Sequence, residues 1–117
     1  MLAGKGRKRK VLVVDASASV RTSVWMVLRD DYVVLTVGEL SEALEVVGRG
    51  EVELVVVGVD MPVYFYGSFF RALRRGGSLL PVLLLLGEGI GFEEGVGLGL
   101  SDWLSKPFLV EELRGKV

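Results

Sequence analysis

From residue 10 onward, short runs of valine and leucine alternate with segments whose apolar residues recur every three or four positions. Continuous apolar runs are typical of strands covered on both faces, as in a parallel sheet flanked by helices. We predict strands over residues 11–14, 32–37, 54–59, 81–86 and 101–105. The pattern therefore predicts an α/β domain built from five strand-helix units.

Helices are predicted after each of these strands. The first is capped by Ser17 or Ser19 and continues to Arg29, and the others cover 39–47, 68–75 and the chain from 108 onward. Segment 87–99 is expected to form only a short or irregular helix, because glycine recurs through it and costs up to about 1 kcal/mol per position relative to alanine. The final helix is expected to be cut off early at Val117.

The charges divide the chain into a basic tail and an acidic body. Residues 1–10 contain five basic side chains, so we interpret them as a tail and residues 11–117 as one domain. Such a tail would bind nucleic acid only weakly, if at all. No apolar run approaches the roughly 20 residues that span a membrane, and no signal-peptide core is present, so we expect a cytoplasmic protein without membrane contact.

The composition removes several kinds of chemistry. The chain has no cysteine and no histidine, which excludes thiolate and imidazole ligands and the commonest general base. It also lacks asparagine and glutamine, a composition that heat-adapted proteins favour, so we expect a thermophilic source.

Three stretches resemble the receiver domain of two-component response regulators, including the single-domain chemotaxis type. They are Val11–Ser17, similar to the first strand and its acidic pair; Val55–Pro62, similar to the third strand and its Met-Pro turn; and Asp102–Phe108, with its Lys-Pro-Phe ending. The resemblance implies a flavodoxin-like, doubly wound sheet with strand order 2-1-3-4-5 and helices on both faces.

The resemblance also implies a phosphorylation site, which this sequence fills only in part. The family's acceptor aspartate falls at Gly58, the second acidic residue that holds Mg²⁺ falls at Ala16, and the switch hydroxyl falls at Leu86. Asp15 and Lys106 remain. We therefore expect a degenerate receiver whose site has become apolar packing space, with Asp15 either paired with Lys106 or accepting backbone donors at a helix start.

Two alternatives stay open. Asp60 is the nearest substitute phosphoacceptor, and with Asp15 it could hold Mg²⁺, although we expect that binding to be weak or absent and no other cofactor. A small flavodoxin-like ligand-binding or enzyme domain is the second alternative. It has no supporting catalytic constellation, so we expect no enzyme.

The favoured function is a phosphorylation-independent signalling module that acts through protein contacts. The expected partner is a signalling protein or an output domain beyond residue 117. In receivers the usual contact surface is formed by the fourth helix, fifth strand and fifth helix, and we expect a partner or a second copy of the chain to bind there. Here that surface would contain Trp103 at the aromatic switch position, with Phe92, Val96, Leu98, Phe108 and Leu109. The bulky residues 63–66 are expected either to cover the vacated site or to leave apolar surface exposed.

Overall fold

The computed structural model of the chain describes residues 7–61, 63–75, 79–91 and 102–117, without the side chains of residues 63 and 64. The strands are β1 (Arg9–Val14), β2 (Tyr32–Val37), β3 (Leu54–Val59), β4 (Val82–Leu86) and β5 (Asp102–Ser105). The helices are α1 (Ala18–Leu28), α2 (Leu40–Gly48), α3 (Gly67–Arg74) and α4 (Val110–Lys116), and a 3₁₀ turn over Val63–Tyr66 precedes α3.

All five strands are parallel and lie in the order β2-β1-β3-β4-β5. This confirms the predicted fold class and order. The bounds of β2 and β3 match the sequence prediction, whereas β1 begins two residues earlier, inside the segment interpreted as a tail. There Glu53 accepts a hydrogen bond from the backbone nitrogen of Lys10 at 3.2 Å, which helps to hold Lys10 against the sheet.

Alternation along the central strands divides the core into two layers. Leu12, Val55 and Val57 pack on the side of α2 and α3, while Val13 and Val56 pack on the side of α1 and α4. Because both faces of β1, β3 and β4 are covered, these strands carry continuous apolar runs. The polar residues of the site thus lie at the carboxyl ends of strands that are buried on both faces.

Local signals explain the start of α1 and one turn. Ser17 caps α1, since its hydroxyl accepts a hydrogen bond from Val20 N at 3.3 Å. After β4 the chain turns at Gly89, whose φ of +80° favours glycine. Residues 92–99 of the predicted irregular helix lie outside the described residues.

Candidate functional site

Three residues reach the same side of the sheet at its carboxyl edge because side chains alternate along each strand. Residues two positions apart along a strand share one face of the sheet. Asp15 therefore shares the face of Val13, and Gly58 shares that of Val56. Lys106, just after β5, shares the face of Leu104. Val13, Val56 and Leu104 all belong to the core layer beside α1 and α4. The sheet register thus brings together residues that are up to 91 positions apart in the chain.

Asp15 is fully engaged in hydrogen bonds. The residue is 2% exposed. Its Oδ2 accepts from the ammonium of Lys106 at 2.7 Å, and its Oδ1 accepts from the backbone nitrogen of Ser17 at 2.9 Å. The expected pairing with Lys106 and the expected backbone donor are therefore both present. A buried carboxylate with these two donors is held in one orientation.

Gly58 provides the space into which the Asp15 carboxylate extends. A Cβ atom built on Gly58 would lie 1.8 Å from Asp15 Oδ2 and 2.4 Å from its Cγ. Both distances are far below van der Waals contact, so no side chain at position 58 can coexist with this placement of Asp15. Glycine at position 58 and the inward orientation of Asp15 are therefore coupled.

Lys106 bridges two carboxylates. Besides Asp15, its ammonium lies 3.4 Å from Oδ1 of Asp60, whose side chain is 58% exposed. The Lys106 side chain itself is mostly buried. The site thus contains one cation between an inner and an outer carboxylate.

Two further contacts were missed by reasoning from the sequence. Arg21 on α1 donates from one guanidinium nitrogen to the carbonyl oxygens of Asp15 at 2.7 Å and Ala16 at 3.2 Å. Arg21 lies four residues after the Ser17 cap, on the first turn of α1. This spacing was the sequence feature from which a contact with the loop before α1 could have been predicted. This contact fixes the loop that carries Asp15.

Tyr66 folds back towards the site. Its hydroxyl oxygen accepts a hydrogen bond from the backbone nitrogen of Asp60 at 3.1 Å, and its ring is buried against Phe70. Phe65 beside it is 60% exposed. Phe65 therefore follows the expectation of exposed apolar surface, whereas the Tyr66 ring packs in the core layer beside α2 and α3 and does not cover the Asp15–Lys106 pair.

The expectation of apolar packing in the vacated site is wrong. The space at Gly58 is filled by the Asp15–Lys106 ion pair, and Ala16 is exposed on its loop. Leu86 is buried, but it packs in the core layer beside α2 and α3. Strand alternation directs Leu86 to that layer, so losing a hydroxyl there does not make the ionic site apolar.

The residues at the site do not fit a Mg²⁺ ion. That ion requires oxygen ligands in near-octahedral geometry. Here Asp15 Oδ2 and Asp60 Oδ1 both face the Lys106 ammonium, and Ala16 has no side-chain oxygen. Within the described parts of the chain, no group of three metal-ligating side chains is close enough to hold a metal.

The predicted interaction surface is described only around β5. Trp103 is 39% exposed and Leu109 is 65% exposed, whereas Phe108 is half-buried against the core layer beside α1. Phe92, Val96 and Leu98 lie outside the described residues. Next to Trp103, hydrogen bonds from the Lys116 ammonium and from the Trp103 backbone nitrogen lower the pKa of Asp102 below its ordinary value.

Comparison with known proteins is consistent with this geometry. The family model described as "Response regulator receiver domain" matches residues 11–117. The response regulator MprA of Mycobacterium leprae is 35% identical over 92% of this chain and 49% of its own length. The alkaline phosphatase synthesis transcriptional regulatory protein PhoP of Bacillus subtilis is 30% identical over 93% and 47%. The chain therefore spans about half the length of these relatives.

Solved structures of response regulators share this fold. The chemotaxis response regulator CheY4 of Vibrio cholerae superposes with a TM-score of 0.82 at 33% identity, covering 94% of this chain and 96% of that one. No helix within the described residues is both long and apolar enough to cross a membrane. The strand order, the match over residues 11–117 and these relatives together show that the chain belongs to the response regulator receiver domain family of two-component signalling.

Proposed function

We propose that this receiver domain signals through protein contacts without being phosphorylated. The observation that carries the proposal is the 1.8 Å distance between Asp15 Oδ2 and the Cβ position of Gly58. A phosphoacceptor needs a carboxylate that projects from this position and attacks phosphorus. Here a carboxylate fills the position from the neighbouring strand.

Asp15 is a poor substitute for that acceptor. It is almost completely buried, and both of its oxygens accept hydrogen bonds, one of them from an ammonium. A nucleophile must offer a lone pair along an open path to phosphorus. The Lys106 ammonium, which could otherwise neutralise charge on a transferring phosphoryl group, is already paired with Asp15.

Asp60 supports the second candidate function, a receiver with a displaced acceptor. Its carboxylate is exposed, lies 3.4 Å from Lys106 Nζ, and borders an open groove of about 450 Å³ beside α1. In that reaction an Asp60 oxygen would bond to phosphorus while the acetate of acetyl phosphate leaves. Against it, the described residues contain no group of three metal-ligating side chains that could hold a metal beside this carboxylate.

Incubation with acetyl phosphate and Mg²⁺, followed at once by intact-mass spectrometry, tests the proposal. We expect no added phosphoryl mass, and we expect calorimetric titration with Mg²⁺ to show no submillimolar binding. A phosphoryl adduct that disappears in the Asp60→Asn variant would establish the displaced acceptor instead. A submillimolar Mg²⁺ affinity that is lost on Asp15→Ala would show that the metal site survives.

The contacts that would transmit the signal are proposed at the β5 surface, which contains Trp103, Leu109 and Val110. These side chains are 39%, 65% and 45% exposed. Exposed aromatic and aliphatic side chains of this kind anchor protein interfaces. The partner would be a signalling protein or an output domain, and a homodimer through this surface stays a prediction of the sequence.

An enzyme function receives no support from family membership, and a thermophilic source likewise stays a prediction from composition.

A further inference from the structure

The open edge of β2 is unusually free of protection. Among the described residues β2 pairs with β1 alone, so one side of its backbone faces outward. Its sequence, YVVLTV, contains no charge, proline or glycine. Proteins normally protect an open edge with such residues, because an unpaired apolar strand pairs readily with another chain.

The hydrogen-bond register shows which backbone groups are open. Asp15 N donates to Val37 O, so in the parallel ladder residues 33, 35 and 37 direct their N–H and C=O groups towards β1. On the other side of β1, Glu53 N donates to Lys10 O, which fits the same alternation. The N–H and C=O groups of Tyr32, Val34 and Thr36 therefore point away from the sheet.

We propose that a second copy of this chain pairs with β2 in an antiparallel arrangement, with the two-fold axis at Val34. In antiparallel pairs, opposed residues exchange both backbone hydrogen bonds at alternate positions. Val34 would pair with Val34 of the second copy, and Tyr32 would pair with Thr36. The outward-facing backbone groups of β2 thus match those of a second copy when the two-fold axis passes through Val34. The two five-stranded sheets would then form one continuous sheet.

The side chains fit the same register. Val33 and Leu35 are 40% and 36% exposed, although both are aliphatic residues in a strand. About the Val34 axis, each Val33 lies opposite Leu35 of the second copy in a position without backbone hydrogen bonds, where side chains approach most closely. The pairing would therefore cover the two exposed apolar side chains of β2 with each other.

The ends of the strand do not oppose this pairing strongly. Arg29 accompanies Asp30 and Asp31 before β2, and Arg21 lies beside Gly38 near Glu39 after it. Each end thus carries charges of both signs. On the α1 side, Trp25 is also exposed and lines a groove with Thr36 of β2, so it would extend the contact beyond the strand. This inference is independent of whether the domain is phosphorylated.

Sedimentation equilibrium over a range of protein concentrations tests the dimer with two matched charge variants. Val33→Lys/Leu35→Lys places like charges opposite each other in the proposed register, and we expect it to weaken dimerisation at least about tenfold. Val33→Lys/Leu35→Glu places opposite charges there, and we expect its dimer to stay within about threefold of the wild type. Both variants remove the same apolar surface, so only the pairing distinguishes them.

A third variant, Val110→Lys, distinguishes the two candidate surfaces, because Val110 lies on α4 at the β5 surface. We expect it to leave the dimer unchanged. Circular dichroism of all three variants confirms folding. A wild-type chain that stays monomeric at millimolar concentration, equal dimerisation of the two β2 variants, or loss of the dimer only in Val110→Lys would each overturn the proposal. Pairing of β2 with another protein's strand would give the first of these outcomes.

Discussion

Replacing Lys106 with methionine is expected to lower the free energy of unfolding by about 3–5 kcal/mol, since it leaves a buried carboxylate without its cation. The Asp15 side chain is fully buried, and Lys106 Nζ lies 2.7 Å from its Oδ2. Methionine preserves most of the apolar stem of lysine, so the loss reports the charge more than the packing. Urea unfolding at neutral pH measures it.

Lys116→Met provides the matched control. Lys116 also pairs with an aspartate, Asp102, at 3.0 Å, but both side chains are more than one third exposed. Exposed pairs contribute at most about 1 kcal/mol, so this substitution should have a small effect. Equal losses in the two variants would show that the Asp15–Lys106 pair is no more important to folding than a surface ion pair.

A second substitution tests whether the lost stability comes from the unpaired charge of Asp15. Asp15→Leu in the Lys106→Met background removes the uncompensated charge, and replacing both members of a buried pair is often close to neutral. We expect it to recover most of the lost stability. Failure to recover would mean that Asp15 stabilises the loop mainly through its acceptance of the Ser17 backbone hydrogen bond, at 2.9 Å.

The sheet could be predicted from the sequence because its strands are buried on both faces. The runs at 32–37 and 54–59 lie between polar or glycine-containing segments, so their bounds are clear from composition alone. The start of β1 was less clear because Arg9 and Lys10 are charged. Their long side chains can reach solvent or pair with acidic residues, as Lys10 does with Glu51, so charge did not exclude them from a strand.

The site was only partly predictable. Spacing from the Met-Pro turn identified Gly58, and the Lys-Pro-Phe ending identified Lys106. Spacing does not show which way a side chain turns, however, so the position of the Asp15 carboxylate in the space at Gly58 could not be foreseen. The same holds for Arg21 and Tyr66, whose contacts with backbone atoms depend on how α1 and the 3₁₀ turn pack.

The contacts of Gly58 change the interpretation of the site. Three substitutions towards small or apolar residues suggested a site that had lost its charges. The structure instead retains two carboxylates and an ammonium in contact, with Gly58 providing the room. Gly58 therefore has a packing role of its own, because its lack of a side chain leaves room for the Asp15 carboxylate.

That role leads to the last prediction: Gly58→Ala should lower the free energy of unfolding by about 2–4 kcal/mol, a large effect for one added methyl group. The new Cβ would lie 1.8 Å from Asp15 Oδ2, so the carboxylate must leave its place. A flexible exposed side chain could move at little cost. Asp15 is buried and held at both oxygens, so moving it disrupts the bond to Lys106, the bond to Ser17, or both.

Urea unfolding of a double-mutant cycle with Asp15→Ala measures the coupling. Asp15→Ala removes the atoms at 1.8 and 2.4 Å and leaves only its Cβ at 3.1 Å, so in that background Gly58→Ala should cost no more than about 1 kcal/mol. Gly115→Ala is the control. Gly115 lies in α4, and an added Cβ there would meet no neighbouring side chain within 4 Å. We expect this substitution to raise the free energy of unfolding by up to about 1 kcal/mol. If Gly58→Ala costs the same with and without the Asp15 carboxylate, that carboxylate does not occupy the acceptor position, and the main support for signalling without phosphorylation is lost.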